Sequence, residues 1–450
     1  MKQQPSLGVF SLVMINIIAI DNLRTLPFAA SFGFGLVGVY LLASIVFLVP
    51  VGVVSAKLAT ILPNRGGIYV WVKQAFDSKV GFFIIWLQWI YNVVWYPTAL
   101  AFILAIVSHA FGFSFVENSS VFLWLIVAMF WFATFINCFG MKVSGLVSTV
   151  CAIMGTLIPM AIIIWLGVGF FLDNNLSFVW KDLIPQKELS VELPFLVEIV
   201  FGLVGLEMSA MHADQVKNPS KAYPKAIFWS VIIIFVSLVM SSLSVAVVVP
   251  SEKLNVMTGI SQALVVFLQA KHLSFLYPIM IVLIVIGSIG SVAAWIIGPS
   301  KGLLIAAEDG VAPKYFAKRN KHGVPVRILV LQAILVSLLS GVYALMPSLE
   351  GAYVLLTAMT TQLSLIVYIG LFLAAIKLKK SLKFANNFNL LLCCGVGLFS
   401  CVFVILLGFV PPEVTISAEY VKQYIFTLII GMIVLCLPPF IFMKNLKTNK

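Results

Sequence analysis

Apolar runs of about twenty residues alternate with short polar segments along almost the whole chain. A helix needs about 20 apolar residues to cross the hydrocarbon core of a bilayer, whereas a membrane strand needs about ten residues of alternating polarity. The continuous runs therefore predict transmembrane helices. We place twelve of them, at 7–34, 36–62, 80–111, 121–139, 143–172, 194–213, 226–249, 274–307, 328–346, 351–376, 390–410 and 424–443.

Composition leads to the same class. Hydrophobic residues make up 62% of the 450 residues and charged residues only 10%, whereas a soluble domain carries roughly a quarter of charged residues. Apolar side chains in such excess must face lipid, where backbone groups have to be paired within the protein. We therefore expect an all-α polytopic membrane protein with the lipid bilayer as a partner.

The distribution of basic residues predicts the orientation. With the N-terminus inside, twenty-two Lys and Arg residues fall in inner loops and five in outer loops, and Arg24 lies within a span. Positive charge accumulates in cytoplasmic loops, so we expect an inner-membrane protein with both termini cytoplasmic. The net charge of +12 is spread over short loops rather than an arm or a stripe, which argues against nucleic acid. Whether the protein forms a homo-oligomer stays open.

The cysteines and histidines do not predict a metal site. The six Cys residues lie in or beside apolar segments and the four His residues are scattered among loops and span ends, and none of them shows the spacing of metal ligands. We expect neither a metal nor a cofactor.

Charged residues within a span are functional candidates, because each costs a few kcal/mol to insert. Four stand out: Asp21 and Arg24 in the first span, and Glu198 and Glu207 in the sixth. Glu198 lies near the predicted outer end of its span, and we expect it to be solvated.

Both of these spans also carry residues that weaken a helix. Asp21 and Asn22 compete for backbone hydrogen bonds and Pro27 removes a donor, and Gly202 and Gly205 lie close together in the sixth span. Interrupted helices in corresponding positions of two halves are typical of a transporter binding site. The predicted interruptions cover Ile20, Asp21, Asn22 and Leu23 in the first span and 201–205 in the sixth.

Interrupted helices expose N–H groups at one end and carbonyl groups at the other. The first attract a carboxylate and the second a cation, so one site suits both ends of an amino acid. Two other interpretations stay open. Asp21 and Arg24 could form an intrahelical ion pair, and Glu207 could bind released backbone without touching a substrate.

Three segments resemble a known family. They read NRGGIYVWVKQAF after the second span, FGLVGLEMSAMHADQVKNPSKAYPKAI in the sixth, and WIIGPSKGLLIAAEDGVAPKYFAKRNKHGVP after the eighth. Together they are similar to the amino acid–polyamine–organocation (APC) superfamily, and within it to bacterial glutamate/GABA-type antiporters. The match runs through residues 10–325, and the last spans match only in hydropathy.

The resemblance implies a LeuT-type fold. Its two inverted five-helix repeats would be residues 1–172 and 194–376, with two peripheral spans at 389–443. Ile20, Asp21 and Asn22 would replace the glycine-serine-glycine break of the family. By motif, Gly205 and Glu207 would match its sixth-span residues, Phe201 an aromatic gate above the substrate, and Trp295 a tryptophan packing against that gate.

Two departures bear on the mechanism. A fifth-span lysine that couples some relatives to ions is replaced by Gly155, which favours exchange or coupling through another group. Arg24 favours a substrate with a second carboxylate, such as glutamate.

The leading hypothesis is an alternating-access amino acid antiporter; a proton- or sodium-coupled symporter of amino acids or polyamines is the alternative. No catalytic cluster or filter-like repeat favours an enzyme or a channel.

Overall fold

The computed structural model describes residues 7–63, 66–139, 149–177, 179–183, 189–346, 348–379, 387–411 and 418–448. These residues form helices, turns and loops, with one isolated parallel bridge between Leu7 and Val216. The all-α class is confirmed.

Eleven helices of the described residues are long and apolar enough to cross a bilayer. We number them as predicted: first Val9–Ala30, second Gly33–Ile61, third Ser78–Phe111, fourth Ser119–Asn137, fifth Thr149–Asp173, seventh Pro219–Val248, eighth Ser274–Glu308, ninth Val326–Leu345, tenth Leu349–Leu378, eleventh Phe388–Leu407 and twelfth Val421–Lys444. The chain is therefore a multi-pass membrane protein.

The predicted sixth span is not a continuous helix. An α-helix at Leu189–Phe201 is followed by an irregular stretch and a 3-10 segment at Met208–Gln215. Neither piece alone is long enough to cross a bilayer, so the count of twelve stays a prediction. Two shorter helices, Ile68–Ala75 and Gly259–Ala270, lie in the connections after the second and seventh spans.

The third span lies at the centre of the bundle. In its most apolar window 94% of the residues are buried, against 72% for the tenth span and 11% for the twelfth. Asp77 begins the third span by accepting hydrogen bonds from the backbone N–H groups of Lys79 and Val80, which satisfies groups that a helix start leaves free. The central spans therefore bury their side chains in protein, and the twelfth leaves most of its surface to lipid.

The two broken spans are joined at one end. The N–H of Leu7 donates to the carbonyl of Gln215 over 2.9 Å, and the N–H of Lys217 donates to the carbonyl of Leu7 over 3.0 Å. This bridge links the start of the first span directly to the end of the sixth-span segment.

The fifth and eighth spans approach backbone to backbone at Gly155 and Gly287. A Cβ at Gly155 would meet the Leu283 carbonyl oxygen at 2.9 Å and would lie closer still to Gly287. This position, which the family resemblance matched to a lysine, has no room for a side chain while the spans are packed this way.

We expect Gly155→Ala to lower the free energy of unfolding by about 1–3 kcal/mol, the usual cost of overpacking. The measurement is the thermal unfolding of purified protein in detergent. Gly395→Ala is the matched control, since its Cβ would meet no atom within 4 Å. Equal stability of the two variants would contradict the close packing.

Candidate functional site

The first span is interrupted where the sequence predicts. Its α-helix ends at Ile20, Asp21 (φ −73°, ψ 96°) and Asn22 (φ −130°, ψ 123°) are extended, and a 3-10 turn starts at Leu23. The Asn22 side chain accepts a hydrogen bond of 3.0 Å from the backbone N–H of Arg24. Asn22 thus caps the new segment, which is why an asparagine favours a break here.

The second interruption begins after Phe201 and is held by Gly205. This glycine has φ +134°, and a Cβ on it would lie 3.0 Å from Ile20 and 3.2 Å from Trp295. A side chain is excluded both by that backbone conformation and by these neighbours. The missing side chain allows the two interrupted segments to touch.

Glu207 holds the released backbone indirectly. The Tyr368 hydroxyl donates to Glu207 Oε2 over 2.5 Å and accepts a hydrogen bond of 2.9 Å from the Gly205 N–H. Gln88 Nε2 donates to the other carboxylate oxygen over 3.2 Å. Glu207 is 1% exposed. These contacts fasten the sixth-span break to the third and tenth spans, as a structural carboxylate would.

A small cavity, partly open to its surroundings, lies between the two interruptions. Four spans supply its wall, which is formed by Ala19, Ile20, Asn22, Arg24, Thr25, Tyr91, Asn92, Trp95, Phe201, Gly202, Val204 and Trp295.

The predicted site residues divide into two groups. Those that line the cavity are Ile20, Asn22, Arg24, Phe201, Gly202 and Trp295. Those outside the lining are Asp21, Leu23, Gly205 and Glu207. Of this second group, Asp21 and Gly205 shape the interruptions, and Glu207 holds Gly205 through Tyr368.

Arg24 is a buried cation in the wall of this cavity. It is 1% exposed, and its Nη1 donates to the Tyr353 hydroxyl over 3.2 Å. Its guanidinium carbon lies 5.4 Å from the centre of the Phe201 ring and 5.6 Å from that of Tyr353. Rings at this range stabilise a cation by up to about 2 kcal/mol when water is excluded. Among the described residues its Nε has no hydrogen-bond partner.

An ion pair between Asp21 and Arg24 is not formed. Asp21 Oδ2 instead accepts a hydrogen bond of 2.6 Å from Ser237 in the seventh span. No salt bridge of the described residues includes either side chain. The extended backbone at Asp21 and Asn22 turns the two side chains in different directions, so the helical spacing behind that interpretation does not apply.

The expectation that Glu198 is solvated is wrong. Glu198 is 3% exposed and interacts electrostatically with Arg24. Within the described part of the chain its Oε2 has no hydrogen-bond partner, and no salt bridge includes it. The reason is the position of the helix, which begins at Leu189 and places Glu198 in its last turn, beside the interruption.

Trp295 closes another side of the cavity. Its indole N–H donates to the Ala19 carbonyl over 3.1 Å, which satisfies one of the groups released at the end of the first helix. Its ring lies 6.0 Å from that of Tyr91 and 6.3 Å from that of Trp95. On this side the cavity wall consists of aromatic rings, and the hydrogen bond of the Trp295 indole N–H holds that ring in place.

The third-span contribution was not predicted from the sequence. Tyr91, Asn92 and Trp95 line the cavity, and none of them is among the predicted site residues. The available signal was Asn92, a polar residue in an apolar span, one helical turn after Gln88. Its amide nitrogen donates to the Gln88 carbonyl over 2.7 Å, which leaves its carbonyl oxygen as an acceptor.

The part of the chain that the structure describes contains no group of three or more His, Cys, Asp or Glu residues placed to hold a metal. The cavity offers amide, hydroxyl and guanidinium groups against aromatic walls. Such groups can bind and orient a small polar molecule.

Comparison with known proteins matches this arrangement to one family. The family model described as amino acid permease covers residues 7–435. An uncharacterized transporter of Legionella pneumophila is 43% identical, over 98% of this chain and 97% of its own length.

More distant relatives are antiporters. A glutamate/gamma-aminobutyrate antiporter of Lactococcus lactis is 26% identical, over 97% of this chain and 90% of its own length. A probable agmatine/putrescine antiporter of the same species is 25% identical, over 75% and 72%. The APC resemblance is confirmed: the chain belongs to the amino acid permease family, whose relatives here are transporters.

Proposed function

We propose that the protein exchanges amino acids across the membrane by alternating access. The observation that carries the proposal is the cavity between two interrupted helices. The helix ending at Ile20 presents carbonyl groups to an ammonium, and the segment starting at Leu23 presents N–H groups to a carboxylate. Both ends of an α-amino acid find a complementary partner there.

We further propose that the moving units are the two repeats at 1–172 and 194–376, with 389–443 at their periphery and both termini cytoplasmic. The interruptions in the first and sixth spans occupy corresponding positions in these two units. Rocking of one repeat against the other around a fixed site is the usual mechanism of such folds.

Arg24 supports an acidic substrate such as glutamate. Its charge is buried in the cavity wall, so a second carboxylate that reached the guanidinium would gain a charge-assisted hydrogen bond. A polyamine would instead meet a like charge in a water-poor site, which is costly. The name of the Lactococcus lactis glutamate/gamma-aminobutyrate antiporter agrees with an acidic substrate.

Exchange is tested with purified protein in liposomes. We expect uptake of radiolabelled glutamate into vesicles preloaded with glutamate or γ-aminobutyrate and little uptake into empty ones. Protein-free vesicles with the same load are the control. If folded protein transports no amino acid or polyamine from either kind of vesicle, the proposed function is wrong.

Arg24→Ala should raise the KM for glutamate by about tenfold or more, since a hydrogen bond to a charged group contributes about 1.5–3 kcal/mol. The KM for neutral amino acids should change much less. Arg327→Ala is the matched control, because Arg327 packs on the Tyr315 ring at 4.1 Å outside the cavity lining. An equal loss for acidic and neutral substrates would rule out a specific carboxylate contact.

Glu207→Gln should slow exchange and keep the order of substrate preference. The amide retains an acceptor for Tyr368 but loses the charge, which weakens the bond by about 1–2 kcal/mol. The measurement is kcat/KM for a panel of acidic and neutral amino acids. A changed order of preference would show that Glu207 contacts the substrate.

A polar contact closes the end of the bundle that we propose to be cytoplasmic. The Tyr69 hydroxyl and Lys73 Nζ each donate to Asp309 Oδ2 over 2.6 Å, which joins the helix Ile68–Ala75 to the residue after the eighth span. Partial burial raises the pKa of Asp309, but the hydrogen bonds from Lys73 and Tyr69 and the charge of Lys73 outweigh it and lower that pKa below its ordinary value.

Because the pKa of Asp309 is lowered, the contact stabilises the closed end at neutral pH and is lost as the pH falls through that lowered value. Asp309→Asn should favour opening by up to about 1 kcal/mol, the range of a partly exposed pair. We expect an up to about fivefold gain in apparent affinity for substrate on this side. Inside-out and right-side-out vesicles compare the two faces, and equal changes at both would contradict the assignment.

A further inference from the structure

Two prolines interrupt the twelfth span near its end. The helix Ala418–Cys436 stops just before them, and a second helix continues at Pro438–Thr448. Pro439 has no N–H to offer the Leu435 carbonyl four residues earlier. The Trp86 indole N–H donates to that carbonyl instead, over 2.9 Å. The interruption therefore fastens the twelfth span to the third.

Aromatic contacts continue this attachment beyond the prolines. The Phe442 ring lies 5.7 Å from the Trp86 ring, and the Phe440 ring lies 5.2 Å from the Phe83 ring. These contacts lay the final helix along the start of the third span, and a groove stays open between the two.

The groove combines apolar and charged side chains. Its apolar lining includes Val80, Phe83 and Phe440, and its charged lining consists of Asp77, Lys79 and Lys444. Lys79 lies in the first turn of the third span, and Lys444 is the last residue of the twelfth. Lysines at the ends of membrane helices extend their ammonium groups toward the interface with water. The charged part of the groove is therefore expected at the level of the lipid headgroups.

Neither lysine side chain has a partner within the part of the chain that the structure describes. The salt bridges there join other residues. Asp77 is engaged differently, because its Oδ1 accepts hydrogen bonds from the backbone N–H groups of Lys79 and Val80, over 2.7 and 2.9 Å. Two cations and one carboxylate leave the groove with an excess of positive charge.

We propose that this groove binds an anionic phospholipid, with its phosphate between Lys79 and Lys444 and an acyl chain against Phe83 and Phe440. The excess positive charge complements the negative charge of a lipid phosphodiester, and basic pockets between membrane helices bind such headgroups. A soluble phosphate would use the lysines but leave the aromatic rings uncovered. A phospholipid at the interface supplies both the anion and the apolar chain.

The bound lipid would stabilise the position of the twelfth span. It would join Lys444, at the end of a span that leaves most of its surface to lipid, to the third span at the centre of the bundle. The third span also lines the cavity between the two interruptions. The inference does not rest on amino acid exchange, and lipid binding can be measured without transport.

The test is native mass spectrometry of purified full-length protein, titrated with phosphatidylglycerol or with phosphatidylcholine of the same acyl chains. We expect tighter binding of phosphatidylglycerol. Lys79→Gln and Lys444→Gln should each weaken it about fivefold, the contribution of one basic residue at an anionic membrane surface. Lys318→Gln is the matched control, because it removes the same charge from an exposed position outside the groove.

Two further measurements separate the lipid from other occupants. Inorganic phosphate should not displace phosphatidylglycerol, and Phe440→Ala should weaken phosphatidylglycerol binding because the acyl chain loses its contact. Equal binding of the two lipids, displacement by phosphate, or lysine variants that bind like Lys318→Gln would overturn the proposal. Lysine variants that separate a dimer without changing lipid binding would also overturn it, since a second copy would then cover the groove.

Discussion

Backbone groups released in the middle of a bilayer must find partners inside the protein, and this requirement organises the whole centre of the molecule. The Tyr368 hydroxyl accepts a hydrogen bond from the Gly205 N–H. The same hydroxyl donates a hydrogen bond to Glu207, which holds the tyrosine in place. Trp295 donates to the Ala19 carbonyl on the other side. The tenth span supplies Tyr368 and the third supplies Gln88, which holds Glu207, and both spans are largely buried.

The buried charges follow from the same requirement. Each has its own surroundings: Glu207 accepts hydrogen bonds, Arg24 lies between aromatic rings, and Asp21 accepts a hydrogen bond from Ser237. Glu198 interacts with Arg24, but no salt bridge of the described residues joins them. Under the proposed function, a substrate in the cavity would meet a cation whose charge is only partly compensated, and this would favour acidic substrates.

Much of the fold could be predicted from the sequence, because a chain in lipid has few ways to pair its backbone groups. The spans follow from apolar length, and the interruptions follow from Asn22 and Gly205, whose local preferences oppose a continuous helix. The orientation of side chains could not be read in this way. The spacing of Asp21 and Arg24 left an intrahelical ion pair open as one interpretation, but the break removes the helix on which that spacing depends. Asn92 and Trp95 enter the wall through tertiary packing, which hydropathy does not encode. The burial of Glu198 could not be predicted, because it depends on the residue at which its helix begins.

The bridge between Leu7 and Val216 ties the start of the first span to the end of the segment that follows the sixth-span interruption. Its two backbone hydrogen bonds oppose sliding of one segment past the other. A displacement of the N-terminal end of the first span would therefore also pull on the sixth-span segment.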